Sequence, residues 1–381
     1  MSSATDFLNN AAHNFAAGAE ATKFLPKWVG ELYLEFHRGT YTSIAKNKRN
    51  NRKSELLCQQ AEALSSICNT LLDKEYPQNI INDNWETILL NQFHDIIPGS
   101  SIFEVYEDSD KQYAKVLADG EKIQNEMLSA IADNVETDGG VLVYNPHSHT
   151  VSDTLFIDGK AIYAENIPAM GWSIIQPKKS ENSVHVENNC IENKFYMVRF
   201  NEKGDICSIF DKENNREIIK NGKSANQFCI FEDYPYQYDA WELSPYYKDK
   251  MWTVDCLEQA EILNEGARAG LKLTKTYQNS RFVQKIYLYA DSRRIDFETE
   301  ADWKEDHVLL KTMFPLDIHT EQAAYEIQFG HVFRPTHANT SWDTAKFEVC
   351  AQKWADMSED DYGVSLLNDC KYGYDLKENT I

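Results

Sequence analysis

The chain has 381 residues, with 38 Lys and Arg against 60 Asp and Glu and a formal net charge of −22 at pH 7. That deficit of positive charge excludes a nucleic-acid binder, which needs clustered Lys and Arg for its phosphates, and disfavours anionic membrane surfaces. Hydrophobic residues at 42% and aromatics at 12% mark a folded chain long enough for two or three domains, with no apolar run of bilayer length.

The opening residues have no basic stretch followed by an apolar one, so they do not read as a secretory signal. The first strong periodicity comes later. Leu56, Leu57, Ala61, Leu64, Ile67, Cys68, Leu71 and Leu72 recur at three- and four-residue steps, which predicts a helix over about 54–74. Tyr76 and Pro77 stop it. A second helix is expected to start at Asp83, capped by that carboxylate with Glu86 three residues on, and to end at Pro98 and Gly99. Its apolar face would be Trp85, Ile88, Leu89 and Phe93. Ser101 and Glu104 repeat the capping box before a long helix through Val105, Tyr113, Val116, Leu117, Ile123, Met127, Leu128 and Ile131. Three helices with short connections imply an antiparallel three-helix bundle.

Asp138, Gly139 and Gly140 mark a change of character. β-type runs follow at 141–144, 154–157 and 172–175, and the polar stretch 177–189 reads as a linker or exposed loop. Runs at 195–200 and 207–210 flank a turn at 201–204, a hairpin pattern. Strand-like segments continue at 271–277, 282–289, 294–300, 308–314, 325–329 and 362–367. The fold class is therefore α+β and multidomain: a helical bundle domain over 1–138, a small β region over 139–180, and a large antiparallel β-sandwich over 190–381. The chain stops directly after a strand, so the sandwich is expected to be cut short.

The eight cysteines never lie closer than ten residues apart, which gives neither a zinc-ribbon spacing nor a disulfide scaffold. They point to a reducing compartment, the cytosol. Lys46, Lys48, Arg49, Arg52 and Lys53 form a basic patch, read as a solvated face or a contact with acidic neighbouring domains. His147 and His149 could share one strand face, but no further ligand is near and Pro146 suggests a turn. Asn339-Thr340-Ser341 matches a glycosylation sequon that means nothing without a signal peptide.

The sharpest segment is Asn91-Gln92-Phe93-His94-Asp95-Ile96-Ile97-Pro98-Gly99-Ser100-Ser101. His94 and Asp95 fall where the second helix should end, and the negative end of its dipole favours a cation such as a metal. The plainer reading is a His satisfying the last helix carbonyls with a solvated Asp95.

This segment resembles the late signature of the class II α-mannosidases, glycoside hydrolase family 38. Residues 30–43, from Gly30-Glu31-Leu32-Tyr33 through His37-Arg38-Gly39-Thr40-Tyr41-Thr42-Ser43, are similar to the opening of the family's central helical domain in its bacterial and cytosolic branch. Residues 46–55 continue that resemblance. Phe231-Glu232-Asp233 through Tyr238-Asp239-Ala240-Trp241-Glu242 resembles a motif of the C-terminal β-domain, as do residues 334–343 and 362–369. The resemblance runs from about residue 28 to the end.

It implies a galactose-mutarotase-like sandwich and hydrolysis of terminal α-linked mannose in oligosaccharides with retention, by a carboxylate nucleophile and a general acid. It also implies a divalent metal, usually zinc, on the 2- and 3-hydroxyls. By that resemblance His94 is a metal ligand and Asp95 bonds hydroxyls of the mannose in the −1 subsite. Tyr238, Asp239 and Trp241, with Tyr236 nearby, would edge the pocket, since aromatics stack on pyranose faces and carboxylates bond hydroxyls. The bland alternative is an aromatic loop packed on the sandwich. His37 and Arg38 are expected to buttress the bundle.

The sequence departs from the family at one point. None of its ten His is followed two residues later by Asp, so the family's early metal pair is absent. The nucleophile and acid are expected upstream of residue 1, on an N-terminal catalytic barrel that is missing here. The zinc site is then incomplete in this chain, and the chain alone is expected to be inactive. Its partners would be a mannoside substrate and that N-terminal domain, with room for a homo-oligomer. The alternatives are a carbohydrate-binding module without turnover and one subunit of a split mannosidase.

Overall fold

The computed structural model describes residues 3–16, 27–176, 183–377 and 380–381. It divides into two units, Met1–Leu34 and Glu35–Ile381. In the first, helix α1 (Ala4–Ala16) starts where the Ser3 hydroxyl accepts the Asp6 N–H at 3.1 Å. This helix has no counterpart in the sequence reading.

The second unit opens with two 3-10 turns, Glu35–His37 and Gly39–Tyr41, which feed helix α2 (Ala45–Leu72). Helices α3 (Gln78–Asn91) and α4 (Phe103–Ala132) follow, and the three pack on one another. Their core joins Ala61, Leu64 and Cys68 of α2 to Ile81 of α3 and to Ile123, Met127 and Ile131 of α4. Cys58, Ile88, Tyr113 and Val116 form a second knot.

Four expected boundaries move. Helix α2 begins at Ala45 because its first turns bury polar side chains, Asn47, Lys48, Asn50, Asn51, Arg52 and Ser54, which apolar periodicity cannot register. Helix α3 begins at Gln78, directly after Pro77, because Ile81 reaches the core; Asp83 lies inside the helix and caps nothing. Helix α4 has Ile102 at its N-cap with no side-chain cap, since the Ser101 hydroxyl donates instead to the Asp95 carbonyl at 2.6 Å. The helix before the sharpest motif ends at Asn91, so residues 92–99 are turns rather than its last coils.

The remaining sheets are antiparallel, and strands overlap every predicted run. Val141–Asn145 pairs with Gly171–Ile175, and Leu142, Tyr144 and Trp172 pack onto the helical core. Beyond them lie a five-stranded meander from His185 to Glu217 and a four-stranded sheet from Cys256 to Asp302. A three-stranded sheet centres on Gln227–Glu232, and a four-stranded sheet runs from Gln322 to Leu367. Part of the expected linker, 177–182, lies outside the described residues; 185–187 is a strand, not a loop. The hairpin turn at 201–204 forms as read, with Gly204 at φ +74°. A short helix α5 (Ser341–Ala345) carries the one complete capping box among the described helices, between Thr340 and Asp343. No described helix is long and apolar enough to cross a membrane.

Candidate functional site

The site grows from the segment between the 3-10 turns and α2. Arg38 is buried; its guanidinium donates to Glu242 at 3.2 Å and to the Ala345 carbonyl at 2.8 Å, and lies 4.2 Å from the Phe347 ring centre. The Gly39 N–H donates to the Trp241 carbonyl at 2.8 Å. A Cβ at Gly39 would sit 2.8 Å from the Glu242 carbonyl oxygen, so only glycine permits this approach. The Ser43 hydroxyl shares its proton between the carbonyls of Ala240, at 2.8 Å, and Gly39, at 2.9 Å. These contacts fasten the 238–242 turn to residues 38–43.

That turn presents the predicted β-domain residues. The N–H groups of Trp241 and Glu242 both donate to the Tyr238 carbonyl at 2.8 Å, and Tyr238 adopts φ +61°. Trp241 stacks on His37 with centroids 4.8 Å apart, and Tyr238 lies 6.0 Å from the indole. Tyr238 and Asp239 are exposed, and Trp241 is half-buried. Tyr236 stands free in solvent. Arg38 and Glu242 also border a cleft of about 580 Å³ with Glu35, Phe36, Thr344 and Phe347.

On the other side of the same segment, residues 92–101 form a turn whose main chain is pinned from behind. Asn47 donates to the Ile96 carbonyl at 3.0 Å, and the Tyr106 hydroxyl to the same carbonyl at 3.1 Å. Lys48 donates to the Ile97 carbonyl at 2.9 Å and to the Ser43 carbonyl at 2.5 Å. Gln92 donates to Asn51 and Glu55. Gly99, at φ +92°, presses on Ser43, where a Cβ would approach to 2.7 Å. From this mount His94 projects with 79% of its side chain exposed, its Nε2 3.5 Å from the Asp95 carboxylate. It makes no bond to the α3 carbonyls among the described contacts; the Gln92 backbone N–H closes that helix.

The basic patch separates along the helix. Lys48 and Arg52, four residues apart, turn inward, and Arg52 bonds the Tyr372 hydroxyl at 3.0 Å and the Gln352 carbonyl at 2.5 Å. Lys46 pairs with Asp110 and Lys53 with Asp369. Of the two sequence readings, the solvated face fails for Lys48 and Arg52. The His147 and His149 rings stack 5.4 Å apart.

Three contributors escaped the sequence reading: Lys48 as a tether, His37 as a stacking partner, and Asp233. One Asp233 carboxylate oxygen is buried without a partner. Burial, and then the Asp239 charge, push this carboxyl up to about 6, against the pull of His307. Its N–H donates to the His307 carbonyl at 2.8 Å, and Tyr234 stacks on the His307 ring. The sequence placed it within the Phe231–Glu242 motif but gave it no role of its own.

Metal chemistry has a clear limit here. Among the described residues no three His, Cys, Asp or Glu side chains converge as a ligand set. His94 and Asp95 supply at most two donors, short of the three or four that zinc takes, so this chain's residues alone do not fit a metal centre.

Comparison with known proteins places these two walls in one family. Residues 35–131 match the alpha mannosidase middle domain, and residues 191–381 match the glycosyl hydrolases family 38 C-terminal domain. The chain belongs to glycosyl hydrolase family 38. His94 and Asp95 thus sit on its middle domain, and Tyr238, Asp239 and Trp241 on its C-terminal domain. Mouse alpha-mannosidase 2C1 is 34% identical over 98% of this chain and 38% of its own length. Alpha-mannosidase G of Dictyostelium discoideum is also 34% identical, over 92% of this chain and 38% of its own length. The chain thus spans less than two-fifths of these relatives. An alpha-mannosidase crystal structure from Enterococcus faecalis V583 shares the fold, with a TM-score of 0.76 at 16% identity. That match covers 95% of this chain and 54% of that one.

Proposed function

We propose that this chain is the middle and C-terminal portion of a retaining, metal-dependent α-mannosidase that removes terminal α-linked mannose from oligosaccharides. The observation that carries the reading is the convergence of both family motifs on residues 38–48: Ser43 and Gly39 hold the Tyr238–Trp241 side, Lys48 and Asn47 the His94–Asp95 side. In this reading the helical domain spans 1–138 as a three-helix bundle, a small β region spans 139–180, and 190–381 is a galactose-mutarotase-like sandwich. Eight free thiols support a cytoplasmic setting.

Each side chain then has a role. Asp95, half-buried beside His94, accepts hydrogen bonds from hydroxyls of the terminal mannose. Trp241, steadied by His37, offers a flat face to the apolar side of a pyranose, with Tyr238 beside it. Asp239 accepts from a hydroxyl at the pocket edge. The nucleophile and general acid come from an N-terminal domain. His94 would be one ligand of a divalent metal, zinc by the family resemblance, that domain would supply the rest, and the ion would polarise sugar hydroxyls.

The test is hydrolysis of p-nitrophenyl α-mannoside by the 381-residue chain alone and by a polypeptide that joins it to the family's N-terminal domain. Turnover is expected only in the second. Turnover by the 381 residues alone would overturn the dependence on an N-terminal domain. Mannose binding without turnover in both would replace an enzyme by a binding module.

A further inference from the structure

We propose that Lys48 is a positioning residue that fixes the spacing between the His94–Asp95 turn and the Tyr238–Trp241 turn. The inference rests on the reading that both turns face one sugar. Its geometry is independent of that reading.

The two turns reach residues 38–48 by different means. Asn47 and Tyr106 hold Ile96 to α2 and α4 and make no hydrogen bond to residues 238–242 among those described. Ser43 and Gly39 hold Ala240 and Trp241 and make no hydrogen bond to residues 92–101 among those described. The Lys48 ammonium bridges the gap, with one bond to Ser43 and one to Ile97, three residues from His94. Gly99 also packs on Ser43, but that contact is non-directional. A charge-assisted pair of diverging bonds sets both distance and angle.

The chemistry of the position argues against a filler role. Lys48 is 5% exposed, and no carboxylate pairs with it among the described residues. Burying an ammonium on two carbonyls alone is costly, and burial together with nearby Lys371 pulls its pKa down to about 8. A methionine would fill the same volume without that cost. What lysine adds is the pair of donors, still charged at pH 7.

The experiment reads the two turns in the 381-residue chain without sugar or metal. Trp241 is observed through 5-fluorotryptophan and the His94 ring through labelled histidine, assigned with Trp241→Phe and His94→Gln. Lys48→Met is expected to shift both resonances by more than a linewidth, and Lys48→Arg to return both towards wild type. A shift at one turn only, at neither, or one that arginine does not reverse, overturns the proposal. If Lys48→Met does not fold, Lys48→Gln, whose amide is neutral and sits on a shorter arm, is judged by the same criterion. Because no turnover is measured, failure here is distinct from failure of the mannosidase reading, which the p-nitrophenyl α-mannoside assay decides.

Discussion

The His94–Asp95 turn and the Tyr238–Trp241 turn sit on either side of one short segment, yet they are held differently. The first is mounted on buried polar groups, with Asn47, Lys48 and Tyr106 each gripping a backbone carbonyl, and it lifts two small polar side chains into solvent. The second is held by close backbone approach at Gly39, by the Ser43 hydroxyl on the Ala240 carbonyl and by the Arg38–Glu242 pair, and it displays aromatic area. A wall that must aim individual polar groups uses several directional side-chain bonds at fixed carbonyls. A wall that offers a stacking face relies more on close backbone approach, here at Gly39.

That contrast breaks most severely at Arg38. Arg38→Met removes the ion-pair partner of the mostly buried Glu242, which keeps only the Leu243 N–H among the described contacts, and frees the Ala345 carbonyl, for a loss of about 3 kcal/mol in urea denaturation. Amide exchange should quicken at 238–242 and stay unchanged at 92–101. Equal quickening on both sides would mean that the walls are one mount.

Glycine substitution sharpens the same comparison at a smaller cost. Gly39→Ala drives a methyl into the Glu242 carbonyl, whereas Gly99→Ala drives one into Ser43 and adds strain at φ +92°. Each should cost about 1–3 kcal/mol, read by urea denaturation. Exchange should rise near residue 241 in the first variant and near residue 97 in the second.

How much of this was legible beforehand follows from where each element finds its support. The lower two-thirds of α2 could be read because its partners are apolar and periodic; its first turns could not, because Asn47, Lys48, Asn51 and Arg52 are buried among polar groups. The capping boxes at Asp83 and Ser101 were local patterns overridden by tertiary demands, Ile81 reaching the core and Asp95 taking the Ser101 hydroxyl. His94, Asp95, Tyr238, Asp239 and Trp241 were found through short motifs. Lys48 and His37 acquire their roles from contacts with distant residues; the Ser43–Ala240 bond that completes the Lys48 tether spans 197 positions. No local pattern carries that information.

Asp233 offers a gentler probe of the aromatic wall. Its folded pKa of about 6 lies above the ordinary carboxylate value, so the folded state favours the protonated form. The stability it contributes is complete below pH ~4 and is lost as pH rises through about 6. Asp233→Asn mimics the protonated acid. It should exceed wild type by about 1–2 kcal/mol at pH 7.5, after allowance for solvent screening, and by little at pH 4. Urea denaturation at the two pH values checks this, and a gain that is equal at both would remove the carboxylate as its cause.

The smallest effect on the fold is expected at the residue that matters most to the proposed chemistry. His94 is exposed, and its 3.5 Å contact with Asp95 is of the kind that contributes little in water. His94→Ala should therefore change stability by less than about 0.5 kcal/mol. In a polypeptide that includes the N-terminal domain, the same substitution should lower mannoside hydrolysis by more than about 100-fold. The polar bonds beneath residues 92–101 hold backbone, and the imidazole meets only the exposed Phe93 ring and Asp95 among the described contacts, so the fold gains little from the ring itself. A large stability loss with unchanged turnover would reverse the assignment and make His94 part of the mount.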